Sequence, residues 1–116
     1  MLLEADPRGG TKIVLNQDPQ RNSVRPAVDY LFESAAPIYR KRCLGVVLTG
    51  MGEDGLLGAK AIRSQGGPIV IQDKESSVVF GMPGAIFSAE EYDQMGDLDF
   101  IISLFKRVVM AKERGN

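Results

Sequence analysis

The chain lacks histidine and tryptophan, and it contains a single cysteine, Cys43. Without histidine it cannot by itself hold a complete Ser-His-Asp triad, and one cysteine offers neither a disulfide framework nor a zinc site. Cys43 directly precedes an apolar run, where a cysteine usually serves as a small buried hydrophobe. These shortages predict a reducing, cytoplasmic compartment. We also expect the protein to carry no metal or other cofactor.

A basic excess and a long apolar run are also missing. Fourteen basic and fifteen acidic side chains give a net charge of -1, which is not the positive charge that binds nucleic-acid phosphates or anionic membranes. No segment approaches the roughly 18 apolar residues of a membrane-spanning helix, and residues 1–6 lack the basic flank of a signal peptide. We therefore expect no nucleic-acid partner and no membrane insertion.

The composition that is present is ordinary for a globular protein, since 44% hydrophobic residues in a chain of 116 fit one small domain. Two short apolar runs around the turn-forming residues 7–10 predict a hairpin within residues 1–15. Pro26 can open a helix, and Pro37 is expected to end or kink it. The apolar positions of this helix recur at helical spacing: Val28, Leu31, Phe32 and Ala35.

The central part of the chain predicts one parallel β-α-β unit. Residues 44–49 form a near-continuous apolar run, which is typical of a strand that helices bury on both faces. A helix is expected over residues 55–64, with Gly66 and Gly67 as its stop, and a second buried strand over residues 68–72. The crossover should be right-handed. The sequence therefore indicates an α/β fold in which a partial doubly wound, Rossmann-like, mostly parallel sheet follows an N-terminal hairpin.

Further helices are expected in the C-terminal third of the chain. Ser76 can cap a short helix that ends at Phe80, Pro83 can start another, and Asp97 can cap the last one. The last helix has one apolar stripe, which consists of Leu98, Ile101, Ile102, Phe105, Val108 and Val109.

The turn after the first buried strand carries the sharpest chemical signal. The glycines of residues 50–55 have the G-x-G-x-x-G spacing of a dinucleotide loop, and Asp73 follows about twenty residues later, where a ribose-binding acid belongs. Against this interpretation, Glu53 and Asp54 place negative charge where a pyrophosphate needs backbone N–H groups. Only about forty residues follow Asp73, which is too few to complete two mononucleotide-binding halves.

Asp54 itself has two further interpretations. Acidic residues favour the first turn of any helix, because they complement its dipole by about 0.3–1 kcal/mol. Alternatively, loops at the carboxyl ends of parallel strands are where open α/β sheets build their sites, so Asp54 can orient a histidine and stabilise its imidazolium. The motif alone leaves the structural, catalytic and nucleotide-binding interpretations open.

Three segments in order go beyond this pattern: RPAVDYLF at residues 25–32, GVVLTGMGEDG at residues 45–55 and QDKESSVVFGMP at residues 72–83. Together they resemble the C-terminal catalytic domain of the chemotaxis protein-glutamate methylesterase family (CheB). The resemblance implies a doubly wound α/β hydrolase that cleaves γ-glutamyl methyl esters on chemoreceptors and deamidates certain receptor glutamines. It further implies two-component phosphorelay signalling, an upstream receiver domain, and methylated cytoplasmic segments of chemoreceptors as partners.

The resemblance also assigns roles to residues. The aspartate of the family's Ser-His-Asp triad falls on Asp54, and Met51 lines the active site and presents its backbone N–H to the oxyanion. Residues 81–83 match a segment that packs under the site. The family's serine and histidine would precede residue 1, and no serine of this chain lies in a G-x-S-x-G elbow. We therefore expect residues 1–116 to be one domain, the C-terminal half of a methylesterase-like domain, and to be inactive alone.

Two alternatives remain open: a non-catalytic α/β scaffold or interaction module, and a dinucleotide-binding β-α-β unit. A partial sheet would leave one of the two buried strands without a pairing partner, and its helices without part of their apolar cover. For that reason we expect the isolated chain to form a homo-oligomer, most simply a homodimer.

Overall fold

The computed structural model describes residues 2–5, 11–14, 28–50 and 54–113. A 3₁₀ turn, Arg40–Arg42, follows the first helix. The elements are, in chain order, β1 (Leu2–Ala5), β2 (Thr11–Val14), α1 (Val28–Tyr39), β3 (Gly45–Val47), α2 (Leu56–Ser64), β4 (Ile69–Gln72), α3 (Met82–Ser88), β5 (Gln94–Gly96) and α4 (Leu98–Glu113).

The predicted N-terminal hairpin is confirmed. Strands β1 and β2 pair antiparallel, with Leu2 opposite Val14. Helix α1 packs against β1 and against α2, and the Tyr39 hydroxyl at the end of α1 donates a hydrogen bond to Thr11 Oγ1 at 2.7 Å. The hairpin is therefore joined to the rest of the domain through α1.

The predicted parallel β-α-β unit is also confirmed. Strands β3, β4 and β5 form a parallel sheet in that order, with Gly45 opposite Ile69 and Val70 opposite Gln94. All four residues of β4 are buried, as expected of a central strand between helices. Within the described part of the chain, β3 forms one edge of this sheet and β5 the other. Of the two strands expected to lack a partner, β3 therefore has the open edge and β4 is paired on both sides.

The core lies where α1, α2 and α3 meet β3 and β4. Helices α1 and α2 approach closely because Gly58 has no side chain: a Cβ atom there would lie 2.5 Å from Phe32 Cβ. This close contact brings the N-terminal ends of the two helices together beside the end of β3. The fully buried cluster consists of Ala36, Val47, Ala59, Ile62, Ile69, Ile71 and Ile86.

Two local predictions need correction: that Pro37 ends its helix, the first of the two effects expected of it, and that Ser76 caps a helix. Pro37 does not end its helix but lies inside α1, which continues to Tyr39. A proline in the last turn removes only one intrahelical hydrogen bond, so the turn can accommodate it. Ser76 caps no helix: its N–H and its hydroxyl both donate to Asp73 Oδ1, at 2.9 and 2.6 Å. This Asx-type turn holds the segment in a non-helical conformation.

The C-terminal helices begin as predicted. Pro83 lies in the first turn of α3, and Asp97 Oδ1 accepts the N–H of Phe100 at 2.8 Å, which caps α4. The apolar stripe of α4 is mostly uncovered, because Ile101 is buried but the other five positions are 44% to 54% exposed: Leu98, Ile102, Phe105, Val108 and Val109. We call these five residues the apolar face of α4. Among the described helices, none combines the length and apolar character that a bilayer crossing requires.

Candidate active site

Two buried carboxylates face each other where β3 ends. Asp54 precedes α2 and is 6% exposed, and Asp29 lies in the first turn of α1 and is 1% exposed. Asp54 Oδ2 accepts the N–H of Val28 at 2.5 Å, and Asp54 Oδ1 accepts the N–H of Asp29 at 3.0 Å. In return, Asp29 Oδ1 accepts the N–H of Gly55 at 3.1 Å and that of Gly58 at 2.7 Å. We call these four hydrogen bonds the reciprocal cap.

The reciprocal cap provides hydrogen-bond acceptors for backbone N–H groups at the starts of both α1 and α2. The first N–H groups of a helix have no partner within it, and the positive end of the dipole favours an anion there. A cap is usually supplied by the residue just before the helix. The residue before α2 is Gly55, which has no side chain and adopts φ 108°, a backbone conformation suited to glycine. Asp29 supplies the side-chain acceptor at the start of α2 that Gly55 cannot supply. Asp54 supplies a side-chain acceptor at the start of α1.

This arrangement argues against a dinucleotide at the glycine turn. A pyrophosphate would bind the N–H groups at the start of α2, but those of Gly55 and Gly58 already have the carboxylate of Asp29 as acceptor. Asp73, the residue in the place of a ribose-binding acid, accepts two hydrogen bonds from Ser76, and these bonds lower the pKa of Asp73.

A buried glutamine ties the ends of β3 and β4 together. Gln72 is 1% exposed; its Oε1 accepts the N–H of Thr49 at 2.8 Å, and its Nε2 donates to the carbonyl of Ser76 at 2.9 Å. The Thr49 hydroxyl oxygen accepts the N–H of Val79 at 2.8 Å. The loop that follows β4 is thereby fixed against the end of β3.

The backbone just before Met51 is held on both sides. Gly50 donates its N–H to the carbonyl of Val79 at 2.9 Å, and its own carbonyl accepts the N–H groups of Gly81 and Met82, at 3.0 and 2.9 Å. Gly81 and Met82 belong to the segment that was predicted to pack under the site. That segment is therefore hydrogen-bonded to Gly50, the residue before Met51. Met51 itself, with Gly52 and Glu53, lies outside the described residues.

Elsewhere, the described residues offer less chemistry. None of them form a group of three or more cysteine or acidic residues that could hold a metal ion. Cys43 is a free thiol, and burial raises its pKa. A cleft of about 590 Å³ lies by the start of β4, at the end of the sheet opposite to Asp54. Its wall includes Arg63, which pairs with Glu91 at 3.1 Å and with Asp93 at 3.4 Å, so the charge of Arg63 is already matched.

Comparison with known proteins decides the family. The model of the CheB methylesterase family matches residues 1–104. The chain belongs to the CheB methylesterase family. Its fold is that of the crystal structure of the Thermotoga maritima CheB methylesterase catalytic domain, with a TM-score of 0.79 and 38% identity over 83% of this chain and 50% of that one. The predicted resemblance and the predicted Rossmann-like α/β fold are therefore confirmed.

Curated CheB relatives carry the name protein-glutamate methylesterase/protein-glutamine glutaminase. The protein of Trichodesmium erythraeum is 54% identical over 68% of this chain, and protein 2 of Caulobacter vibrioides is 48% identical over 87% of it. The protein of Pyrococcus abyssi is 38% identical over 98% of the chain. The chain spans 22%, 29% and 32% of the length of these three relatives, respectively.

Sequence reasoning singled out Asp54 but missed Asp29. An acidic residue in the first turn of a helix is common, so Asp29 carried no signal of its own. The available signal was Gly55: a helix that begins after glycine has no side-chain acceptor at its N-cap, which leaves its first N–H groups available to a side chain from elsewhere in the fold. The structural interpretation of Asp54 is also changed, because its carboxylate caps α1 rather than its own helix.

Proposed function

We propose that this chain forms the aspartate-bearing part of an esterase that hydrolyses protein-glutamate methyl esters and deamidates protein glutamines, the two activities in the names of its relatives. The observation that carries the proposal is the position of Asp54. Its carboxylate is buried at the carboxyl end of β3, the usual location of active sites in open α/β sheets. Two backbone N–H groups of α1 fix its orientation.

Asp54 has the properties required of a triad aspartate. In such a triad, the serine attacks the acyl carbon, the histidine takes the serine proton, and the aspartate orients the histidine and stabilises its imidazolium. A buried carboxylate does this well, because charges interact more strongly away from water. A carboxylate offers about four acceptor positions, so capping a helix and orienting a histidine are compatible roles.

Met51 is proposed to donate its backbone N–H to the tetrahedral oxyanion. The support is the fixed backbone of Gly50, because a preorganised donor does not need to reorient when the charge develops. The sequence contains no histidine, so a complete triad needs a histidine from another segment or another chain. This chain would then supply the triad aspartate, Asp54, and the backbone N–H of Met51 that binds the oxyanion.

The substrate and setting follow from the same proposal. We infer methylated glutamates on cytoplasmic segments of chemoreceptors as the substrate, a receiver domain as the regulator, and a cytoplasmic two-component pathway. The support is the family membership together with the names of the relatives. No cofactor is needed for this hydrolysis, because water is the only co-reactant.

A test uses a longer protein in which this chain follows the serine- and histidine-bearing part of the domain. We expect methanol release from a methylated receptor fragment and ammonia release from the matching glutamine-containing fragment. The control is the same protein with its nucleophilic serine replaced by alanine, which should abolish both. If neither product appears with the intact serine, the proposed function is wrong.

We also propose that the isolated chain self-associates through the apolar face of α4. Five half-exposed apolar side chains on one helix form a patch of the kind that usually finds a partner. Among the described residues, no strand pairs with the outer side of β3, and such an edge favours pairing with a second copy. Light scattering at low micromolar concentration should show a dimer, and Val109→Lys should shift it toward the monomer.

The matched control for this association is Ser103→Lys, which adds the same charge at a polar, exposed position of α4. It should leave the dimer intact. A sharp monomer peak for the unmodified chain, with cooperative unfolding, would show that the described sheet and helices are sufficient by themselves.

A further inference from the structure

We propose that Asp29 is a positioning residue of this active site, because it holds the turn that carries Asp54. The inference rests on the proposed role of Asp54 as the triad aspartate. It assigns a function to a buried carboxylate in a different helix, 25 positions earlier in the chain.

Asp29 acts on the main chain of the turn. Its Oδ1 accepts the N–H of Gly55, which belongs to the peptide group that directly follows Asp54. The same oxygen accepts the N–H of Gly58, one turn further along α2. One acceptor atom, Oδ1 of Asp29, therefore connects the peptide group between Asp54 and Gly55 to the first turn of α2.

Asp29 also acts on the side chain of Asp54. Its backbone N–H donates to Asp54 Oδ1 at 3.0 Å, so one residue restrains both the peptide and the carboxylate of Asp54. The N–H of Val28 holds the second carboxylate oxygen. The direction in which Asp54 presents its charge is thus set by the start of α1.

The need for this restraint comes from Gly55. Its φ of 108° and its lack of a side chain leave the junction between Asp54 and α2 free to move once the hydrogen bond is lost. Removing the carboxylate of Asp29 would also leave two buried N–H groups without that acceptor. We expect the turn to shift to satisfy them, and Asp54 to shift with it.

The test uses the longer, active protein with the variant Asp29→Ala, assayed well below its unfolding midpoint. Misplacement by about 1 Å costs on the order of 10²-fold in rate, so we expect kcat to fall by about 10- to 100-fold. KM should be unchanged, because Asp29 is buried and offers no surface for a substrate to bind. Thermal unfolding of each variant, followed by circular dichroism, establishes that the assayed protein is folded.

The variant Asp29→Asn should rescue the rate. The two hydrogen bonds that hold the turn go to the same atom, Oδ1, and the two lone pairs of an amide oxygen can accept both, although without the charge of the carboxylate. We expect its kcat to lie within about threefold of the unmodified protein. If Asp29→Ala does not fold, Asp29→Ser takes its place; its shorter side chain holds the turn less well, and about a tenfold loss of kcat is expected.

The matched control is Asp97→Ala, which removes the cap of another helix, α4. It should lower the unfolding midpoint without changing kcat. If Asp29→Ala or Asp29→Ser also keeps full kcat while its midpoint falls, or if KM alone rises, Asp29 is only a helix cap and the inference is overturned. Full activity of Asp54→Asn would instead overturn the proposed function itself, so the two failures are distinguishable.

Discussion

The 116-residue chain alone is expected to release no methanol above background from methylated receptor fragments. The physical reason is the absence of histidine, without which no group of the kind used in serine triads can take the proton of an attacking serine. In a comparable triad hydrolase, loss of the serine or the histidine lowers kcat by about a million-fold. Methanol formation, followed over hours with the chain in excess, measures this directly.

The positive control for this measurement is the longer protein, with the same receptor fragment and buffer. A second control mixes the isolated chain with a separately produced serine- and histidine-bearing part, which should restore some turnover if the two associate. Robust turnover by the isolated chain would contradict the triad mechanism and would require a different nucleophile and base within these residues.

In the longer protein, Asp54→Asn should lower kcat by about 10⁴-fold, as removal of the charge does in other triads. The amide cannot stabilise an imidazolium as the carboxylate does, and it favours the wrong histidine tautomer. The substitution also weakens the reciprocal cap, because one of the two acceptor oxygens becomes an NH₂ group facing a backbone N–H. Initial rates at saturating substrate, with unfolding curves for each protein, separate the chemical effect from the structural one.

The control for Asp54→Asn is Asp97→Asn, the same chemical change at the cap of α4, two strands away in the sheet. Asparagine caps helices about as well as aspartate, so neither the unfolding midpoint nor kcat should change much. A loss below tenfold for Asp54→Asn in folded protein would leave Asp54 with a structural role only.

The sequence was most informative where the pattern is local. Continuous apolar runs and glycine stops predicted β3, α2 and β4, because burial on both faces leaves a signature in consecutive residues. Strand β5 was not predicted, since its three residues are largely exposed and show no apolar alternation. The helix expected after Ser76 does not form, because the carboxylate of Asp73 competes for the same N–H and hydroxyl groups.

The candidate site was only half predicted, for a reason that concerns distance along the chain. Asp54 stands within a recognisable motif, whereas Asp29 gains its meaning from N–H groups 26 and 29 positions away. No window of neighbouring residues contains that information. Helix α4 shows a second limit of prediction from sequence. The sequence predicts which apolar side chains share one face of the helix, but it does not predict whether another part of the protein covers that face.

The side chain of Gln72 has a consequence for how the sheet opens. Pairing between β3 and β4 ends at Val47 and Ile71, and three residues after Val47, Gly50 forms a parallel bridge with Phe80 instead. At the point of divergence, the N–H of Thr49 bonds to the amide of Gln72 rather than to a neighbouring backbone. The amide of Gln72 therefore lets the chain after β3 change partners without leaving the N–H of Thr49 unpaired, so the opening of the sheet at this point leaves no unpaired donor there.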